Sequence, residues 1–325
     1  MPTPPAHPEL AEFLDEVAWS TNTITNAMSN LRRWERVCAA AGVDVVAADH
    51  TILRNHLRAR EAAGIGSETR HKEWQHVTAF YRWAATAIAD GGPGLLAANP
   101  MLRVKAPAVV VRDQRTADVT VADRLVEHFG AIARQRRGGG EEARAWRDAA
   151  IVSMMMRAGV RSNEIGGIDA EHLVRDARGQ LVACHVVRTK NGQPRLVPLT
   201  DELPRLLARY LRRRGTGPGP LFAGRAGHTR DRDGRLSAAA VQQMIRRGAK
   251  KCGITVSAHD FRRGWAVASA ERGVDRGWLK IVGGWDKDVM LDRYLGPAKR
   301  QLAVDEFHAA LGRPGERAVT LRRIG

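Results

Sequence analysis

The chain has 325 residues, with 52 Lys and Arg against 35 Asp and Glu, a formal charge of +17, and 44% hydrophobic residues. That is enough apolar matter for a sizeable core, and a folded chain this basic points to a polyanionic partner, nucleic acid first. Cys38, Cys184 and Cys252 are odd in number and far apart, which speaks against a disulfide framework or a zinc site, and no apolar run approaches the roughly 20 residues of a membrane span.

The opening, MPTPPAHPELAEF, lacks the basic and apolar regions of a signal peptide, so a cytoplasmic protein is expected. The first hundred residues read as helices. TNTITNAMSNLRRWERVCAAAG sets Ile24, Met28, Leu31 and Cys38 at helical spacing, with Gly42 as the stop. A second helix fits HTILRNHLRAREAAG, closed by Gly64. A third fits SETRHKEWQHVTAFYRWAATAIADGG, from an N-cap at Ser67 to a stop at Gly91 and Gly92. Arg32, Arg33, Arg70 and Lys72 lie on or near these helices and are candidates for contacts with DNA. Prolines and basic residues then break the pattern. Residues 99–116 read as a linker between a domain at 1–98 and a larger one at 117–325.

The second domain opens with the helix TVADRLVEHFGAIARQRR, interrupted at Gly138 to Gly140, and continues with EEARAWRDAAIVSMMMRAG. In the latter, Met154 to Met156 read as core filler. QLVACHVVRTKNGQPRLVPLT is the clearest β signal, two strands around an Asn-Gly turn. After a Gly/Pro-rich loop at 215–235, helices resume at SAAAVQQMIRRGAKKCG, SAHDFRRGWAVASAERG and DRGWLKIVGG. A last helix at 299–312 places Val304, Phe307 and Leu311 on one side. The fold class is therefore mainly α with a small antiparallel β-sheet, α+β.

Four places could carry chemistry. His259 and Arg262, three apart on a helix anchored by Phe261, Trp265 and Ala268, would hold an imidazole beside a guanidinium, which suits gripping an anionic oxygen; a solvated basic face fits equally well. Arg161 precedes a short helix capped by Ser162 or Asn163, and Glu164 could orient it. In isolation, a surface ion pair is the simpler account. Lys190 stands at the hairpin tip, where most lysines are merely solvated. Tyr294 follows Trp285 by nine residues, near a helix end, as a core residue or as a reacting one.

In order and spacing these elements resemble the tyrosine recombinases, the family of phage integrases, Cre-type recombinases and chromosome-dimer-resolving recombinases. AGVRSNEIGGIDAEHL is similar to the family's first arginine box, and RTKNGQPRLVPLT to its lysine hairpin. LFAGRAGH and LSAAAVQQMIRRGAKKCGI resemble the stretch before the second box, SAHDFRRGWA is that box, and VGGWDKDVMLDRYLG is the tyrosine box. The likeness covers nearly the whole chain, more loosely in the N-terminal helices. Three departures stand out. Trp285 fills the usual place of a second histidine, and its indole N–H can still donate. Gly283 replaces the commoner leucine, an exchange expected to loosen local packing. Ala27 lies near where the first helix usually carries a tyrosine.

The resemblance implies a SAM-like core-binding domain and a catalytic domain that together clamp DNA. It implies Tyr294 as a nucleophile forming a 3′-phosphotyrosine, without metal, ATP or other cofactor. Arg161 and Arg262 would clamp the phosphate, His259 would accept the phenolic proton, and Lys190 would protonate the leaving oxygen. Trp285 would add a hydrogen bond and Glu164 would orient Arg161. Arg188, Arg195 and Arg263 join the candidates for DNA contact. The implied partners are double-stranded DNA with specific recombination sites, further copies of the chain in a tetramer on two sites, and an accessory DNA-bending or directionality factor; a cytoplasmic, nucleoid-associated setting follows. The C-terminal helix would pack in cis or in a neighbouring protomer. Residues 1–8 are too short for an arm-binding domain, so simple core sites are expected. A type IB topoisomerase-like or transposase activity shares the chemistry, and a catalytically silent DNA-binding protein is the non-enzymatic alternative.

Overall fold

The computed structural model describes residues 3–109, 115–189, 192–224, 234–296, 304 and 307–308. The chain divides into two compact units, Met1–Arg112 and Asp113–Gly325.

The first unit is helical. α1 (Pro8–Glu16) starts on a proline, whose missing N–H costs nothing there. α2 (Thr21–Ala40) is capped by the Ser20 hydroxyl, and α3 (His50–Ala62) by Asp49, which accepts from the N–H groups of Thr51 and Ile52. α4 (Ser67–Ala84) begins on Ser67 itself, the expected cap, so the N-cap falls one residue earlier, at Gly66. It also stops at Ala84 rather than at Gly91, because the chain turns there into a short 3-10 segment, Ile88–Asp90. The apolar faces of the four helices meet in one core around Leu10, Phe13, Leu31, Trp34, Leu53, Phe80 and Tyr81, and Ala27 is fully buried in it. Part of the stretch read as a linker belongs to this core. Pro100–Arg103 forms a 3-10 turn, Met101 and Val104 are buried, and the Trp74 indole donates to the Val104 carbonyl at 2.9 Å.

The second unit is built on α5 (Val119–Gln135) and α6 (Gly140–Arg157). From Ala149 to Met156 every residue of α6 is buried, the Met154–Met156 triplet included. A three-stranded antiparallel sheet has the order β1 (Leu173–Arg175), β2 (Leu181–Val186), β3 (Arg195–Pro198). Cys184 lies opposite Leu173 on one side and Val197 on the other. The β2–β3 connection runs over residues 187–194, longer than a tight Asn-Gly turn. α8 (Leu203–Arg214) follows, then α9 (Ala238–Lys251), α10 (Ala258–Glu271), α11 (Arg276–Gly283) and α12 (Asp288–Leu295). The four-residue α7 (Ser162–Ile165) sits between α6 and the sheet in sequence.

Two features seat α10. Ser257 and Asp260 form a capping box at its start. The backbone of residue 117 crosses it at Gly264, where a Cβ would lie 1.8 Å from the Ala117 carbonyl oxygen. At the C-terminal end, Val304, Phe307 and His308 are helical, with Val304 and Phe307 exposed; Leu311 and the rest of the expected 299–312 helix lie outside the described residues. Among the described residues no helix is long and apolar enough to cross a membrane.

Candidate active site

Gly159 ends α6 in the left-handed region at φ +63°, and an added Cβ would lie 2.3 Å from the Trp265 ring, so only glycine fits this turn. The turn delivers Arg161, which is itself the N-cap of α7, in place of Ser162 or Asn163. The Glu164 carboxylate reaches back to accept the Arg161 backbone N–H at 2.8 Å and its Nη1 at 2.7 Å. Arg161 Nη2 donates to the Gly284 carbonyl at 2.9 Å. Glu164 is fully buried, so a surface ion pair is excluded. Burial alone would raise its pKa; hydrogen bonds and charge from Arg195, then from Arg161, outweigh that and hold it below the ordinary glutamate value.

On α10, Arg262 is fully buried and points its Nη1 at the Gly159 carbonyl and its Nη2 at the Gly283 carbonyl. Its guanidinium carbon lies 4.5 Å from the Trp285 ring centroid and 5.7 Å from that of Tyr294. Burial first, and then the Arg161 charge, pull its pKa down to about 9, which leaves it protonated at neutral pH. The solvated-face reading therefore fails for Arg262. His259, one turn earlier, keeps an exposed edge. The packing around its ring, followed by the charges of Arg263 and Arg262, depresses its pKa below the usual histidine value, so it is neutral at pH 7. A neutral imidazole can take a proton.

α12 brings Tyr294 to the same place. Its ring centroid is 5.3 Å from His259 and 4.9 Å from Trp285, and Trp285 stacks on Trp265 at 5.8 Å. Gly283 does not loosen this packing, contrary to expectation. A Cβ there would lie 2.2 Å from the Trp285 ring, so the indole occupies the room a larger side chain would need. The indole Nε1–H is buried and has no hydrogen-bond partner among the described residues. Arg161, Arg262, His259, Trp285 and Tyr294, drawn from four separate stretches of chain, thus converge around the carbonyls of Gly283 and Gly284. Two fixed cations, a neutral base and a phenol at one point can bind an anionic oxygen and take up the phenolic proton. Among the described residues no three His, Cys, Asp or Glu side chains come together in a way that could hold a metal ion.

The sequence profile of the phage integrase family matches residues 127–301, more than half of the chain. The chain belongs to the phage integrase family. The tyrosine recombinase XerA of Pyrococcus horikoshii is 27% identical over 177 residues, 54% of this chain and 52% of that protein. XerD of Mycobacterium tuberculosis is 31% identical over 138 residues, 40% of this chain and 41% of that protein. The chain thus spans about half or less of the length of these two relatives. XerD of Caulobacter vibrioides aligns more fully, 26% identical over 276 residues and 82% of each chain. In fold, the chain is similar to a lambda integrase dimer bound to a core site, with a TM-score of 0.63 and 16% identity over 89% of this chain and 77% of that one.

For this integrase-family chain, the remaining expected site residues fall into three groups. Lys190 lies outside the described residues. Arg188 and Lys72 are exposed, and Arg32 is half-buried. The others are already engaged. Arg195 is a correction: it is buried, donates to both Glu164 oxygens at 2.9 and 2.6 Å and to the Val282 carbonyl at 2.8 Å, and so has no free edge for DNA. Arg263 donates to Asp260 at 3.3 Å and to the Arg115 carbonyl at 3.2 Å. Arg33 and Arg60 both bind the buried Glu73, at 2.6 and 2.7 Å, and Arg70 binds Glu61 at 2.7 Å. Residues not singled out in the sequence are exposed together in the first unit. Arg54, Arg58, Arg103 and Lys105 are exposed around a pocket of about 320 Å³ floored by Leu57, Val104 and Pro107. Nothing in the sequence marked them, because α3 and the 3-10 turn that carry them are far apart in the chain.

Proposed function

We propose that the chain is a site-specific DNA recombinase of the integrase type, with Tyr294 as nucleophile. The observation that carries this is the meeting of the Tyr294 ring with His259 at 5.3 Å and with the Arg262 guanidinium at 5.7 Å. Neutral His259 accepts the phenolic proton as the Tyr294 oxygen attacks.

The Tyr294 oxygen attacks a DNA phosphorus, the bond to the 5′-oxygen breaks, and a 3′-phosphotyrosine remains. Arg161 and Arg262 stabilise the non-bridging oxygens as charge builds. Each Nη of Arg262 spends one N–H on a backbone carbonyl, which fixes the plane of the guanidinium and leaves a second N–H for phosphate. Trp285 carries an unpartnered buried N–H beside that cation and is the further donor. Lys190 supplies the proton to the departing 5′-oxygen. Attack by a 5′-hydroxyl from another duplex reverses the step and exchanges strands.

In this reading the first unit is the core-binding part and the second the catalytic part. The partners are two DNA sites and further copies of the chain, with exposed Val304 and Phe307 offered for packing in cis or on a neighbour. The test is a nicked suicide substrate built from DNA flanking the gene, with wild type and Tyr294→Phe compared on a denaturing gel. Wild type is expected to give a covalent protein–DNA adduct that the variant does not form, while the variant still binds. An adduct that persists in the variant, or tight binding by wild type with no adduct, would overturn the assignment.

A further inference from the structure

Arginines collect at the end of α6 remote from the site just described. Arg161 lies four residues beyond the C-terminal end of α6, and 18 residues at a rise of ~1.5 Å separate the two ends by about 27 Å. At the far end a pocket of about 220 Å³ is lined by Arg134 in the last turn of α5, Arg137 just after it, Trp146 and Glu142 of α6, and Arg209, Arg212 and Arg213 of α8.

Three of the arginines here are held by their neighbours. Arg209 lies over the face of the buried Trp146, its guanidinium carbon 5.2 Å from the ring centroid, which turns its N–H edge outward. Arg213 is fixed by buried Glu142 at 2.7 Å, and Glu142 also accepts the Gly138 backbone N–H at 2.8 Å. Arg134 is paired with Glu127. Among the described residues no carboxylate lies within ion-pair distance of Arg137, Arg209 or Arg212. Arg214, by contrast, is spent on the loop after α8, where it donates to the carbonyls of Gly215, Gly217, Gly219 and Pro220.

Two further facts select the kind of partner. Arg205, Arg209 and Arg212 are exposed on successive turns of α8, so the positive charge repeats along a line. Among the described residues no large apolar side chain is exposed on α5, α6 or α8, and a protein partner would want such an anchor. Planar cations in a row, one of them set on an indole face, with no apolar anchor fit a sugar–phosphate backbone.

We propose that this face is a second DNA-backbone site on the catalytic unit, which holds a duplex segment other than the one at Tyr294. The proposal rests on the recombinase reading only for which segment occupies the first site. The experiment counts duplexes per chain by sedimentation equilibrium, with the full chain limiting and a labelled 20-base-pair duplex of arbitrary sequence in excess at low salt. Wild type is expected to bind two duplexes and Arg137→Gln/Arg209→Gln/Arg212→Gln one, while Tyr294→Phe still binds two. Wild type with one duplex, or the triple variant with two, overturns the proposal. All three substitutions are at exposed positions, so an unchanged circular dichroism spectrum is expected, and Arg209→Lys, which keeps the charge, should retain the second duplex more weakly. The suicide-substrate adduct is read separately: its absence in wild type sinks the recombinase reading and leaves the duplex count standing.

Discussion

Gly283 and Trp285 are one decision made at two positions. The ring of Trp285 fills the space a Cβ at 283 would need, so a chain that replaces the family's usual histidine by tryptophan also gives up the leucine two residues before it. Gly283→Leu should therefore destabilise by roughly 1–3 kcal/mol through overpacking, and Gly283→Leu/Trp285→His should recover most of that loss. Urea unfolding of the two variants checks it, and equal losses in both would refute the coupling. Arg195 teaches the complementary lesson. A sequence displays its charge but hides Glu164, which is buried beneath it and binds Arg161 on the other side. Arg195 acts by positioning: it ties β3 to α7 and to the end of α11. Removing one partner from a buried pair costs ~3–5 kcal/mol, and Arg195→Met should sit near the low end because Glu164 keeps Arg161. Thermal melting should fall, the adduct rate should fall with it, and the salt slope for DNA binding should not change, since Arg195 makes no phosphate contact. A shallower slope would restore Arg195 to the DNA face. Arg161, Arg262, His259 and Tyr294 were legible in advance because their order and spacing form a pattern; the burial of Arg195 has no such pattern.

At the scale of elements, periodicity located most helices of both units, and the failures are physical. α8 escaped notice although Leu203, Leu206, Leu207, Tyr210 and Leu211 line its buried face, because the strand signal before it and the Gly/Pro-rich loop after it dominated that region. β1 is three residues long and exists only by pairing with β2, which no local preference can announce. α4 shows a different limit. Its buried Glu73 gathers Arg33 and Arg60 at 2.6 and 2.7 Å and His56 at 3.3 Å, so two arginines and a histidine that look available on α2 and α3 are pinned to α4. Burial opposes the charge on Glu73, but His56, Arg60 and Arg33 prevail and lower its pKa to about 2. Its unfolded counterpart titrates near the ordinary ~4.3. The folded form thus binds fewer protons between those values, and the stabilisation from Glu73 is fully present above that range and fades as pH falls through it. Acid unfolding followed by tryptophan emission should show this loss between about pH 4.5 and 2, and Glu73→Gln should start less stable and respond less steeply there. An identical pH profile in the variant would assign the acid lability elsewhere.

For the whole molecule, composition pointed to a class of partner but not to where the charge sits. The +17 excess is unevenly spent. Arg262 is sunk in aromatic rings, Arg195 and Arg33 serve carboxylates, and Arg214 serves a loop, while unpaired cations collect at two surfaces, one on each unit. Net charge sums over all of these alike, which is why the sequence pointed to nucleic acid without saying which arginines would touch it. The division of the chain into two units was visible in its prolines, but the first core extends past Pro100 to Val104 because apolar residues there still have a partner to cover. The tryptophan pair in the second unit carries an unused consequence. Trp265 and Trp285 lie 5.8 Å apart with their planes at 28°, and Trp285 adjoins both Tyr294 and the Arg262 guanidinium. Two indoles so close share their electronic excitation, so the near-ultraviolet dichroism of the protein should contain a signal from the place proposed for the reacting phosphate. The molecule carries its own dye.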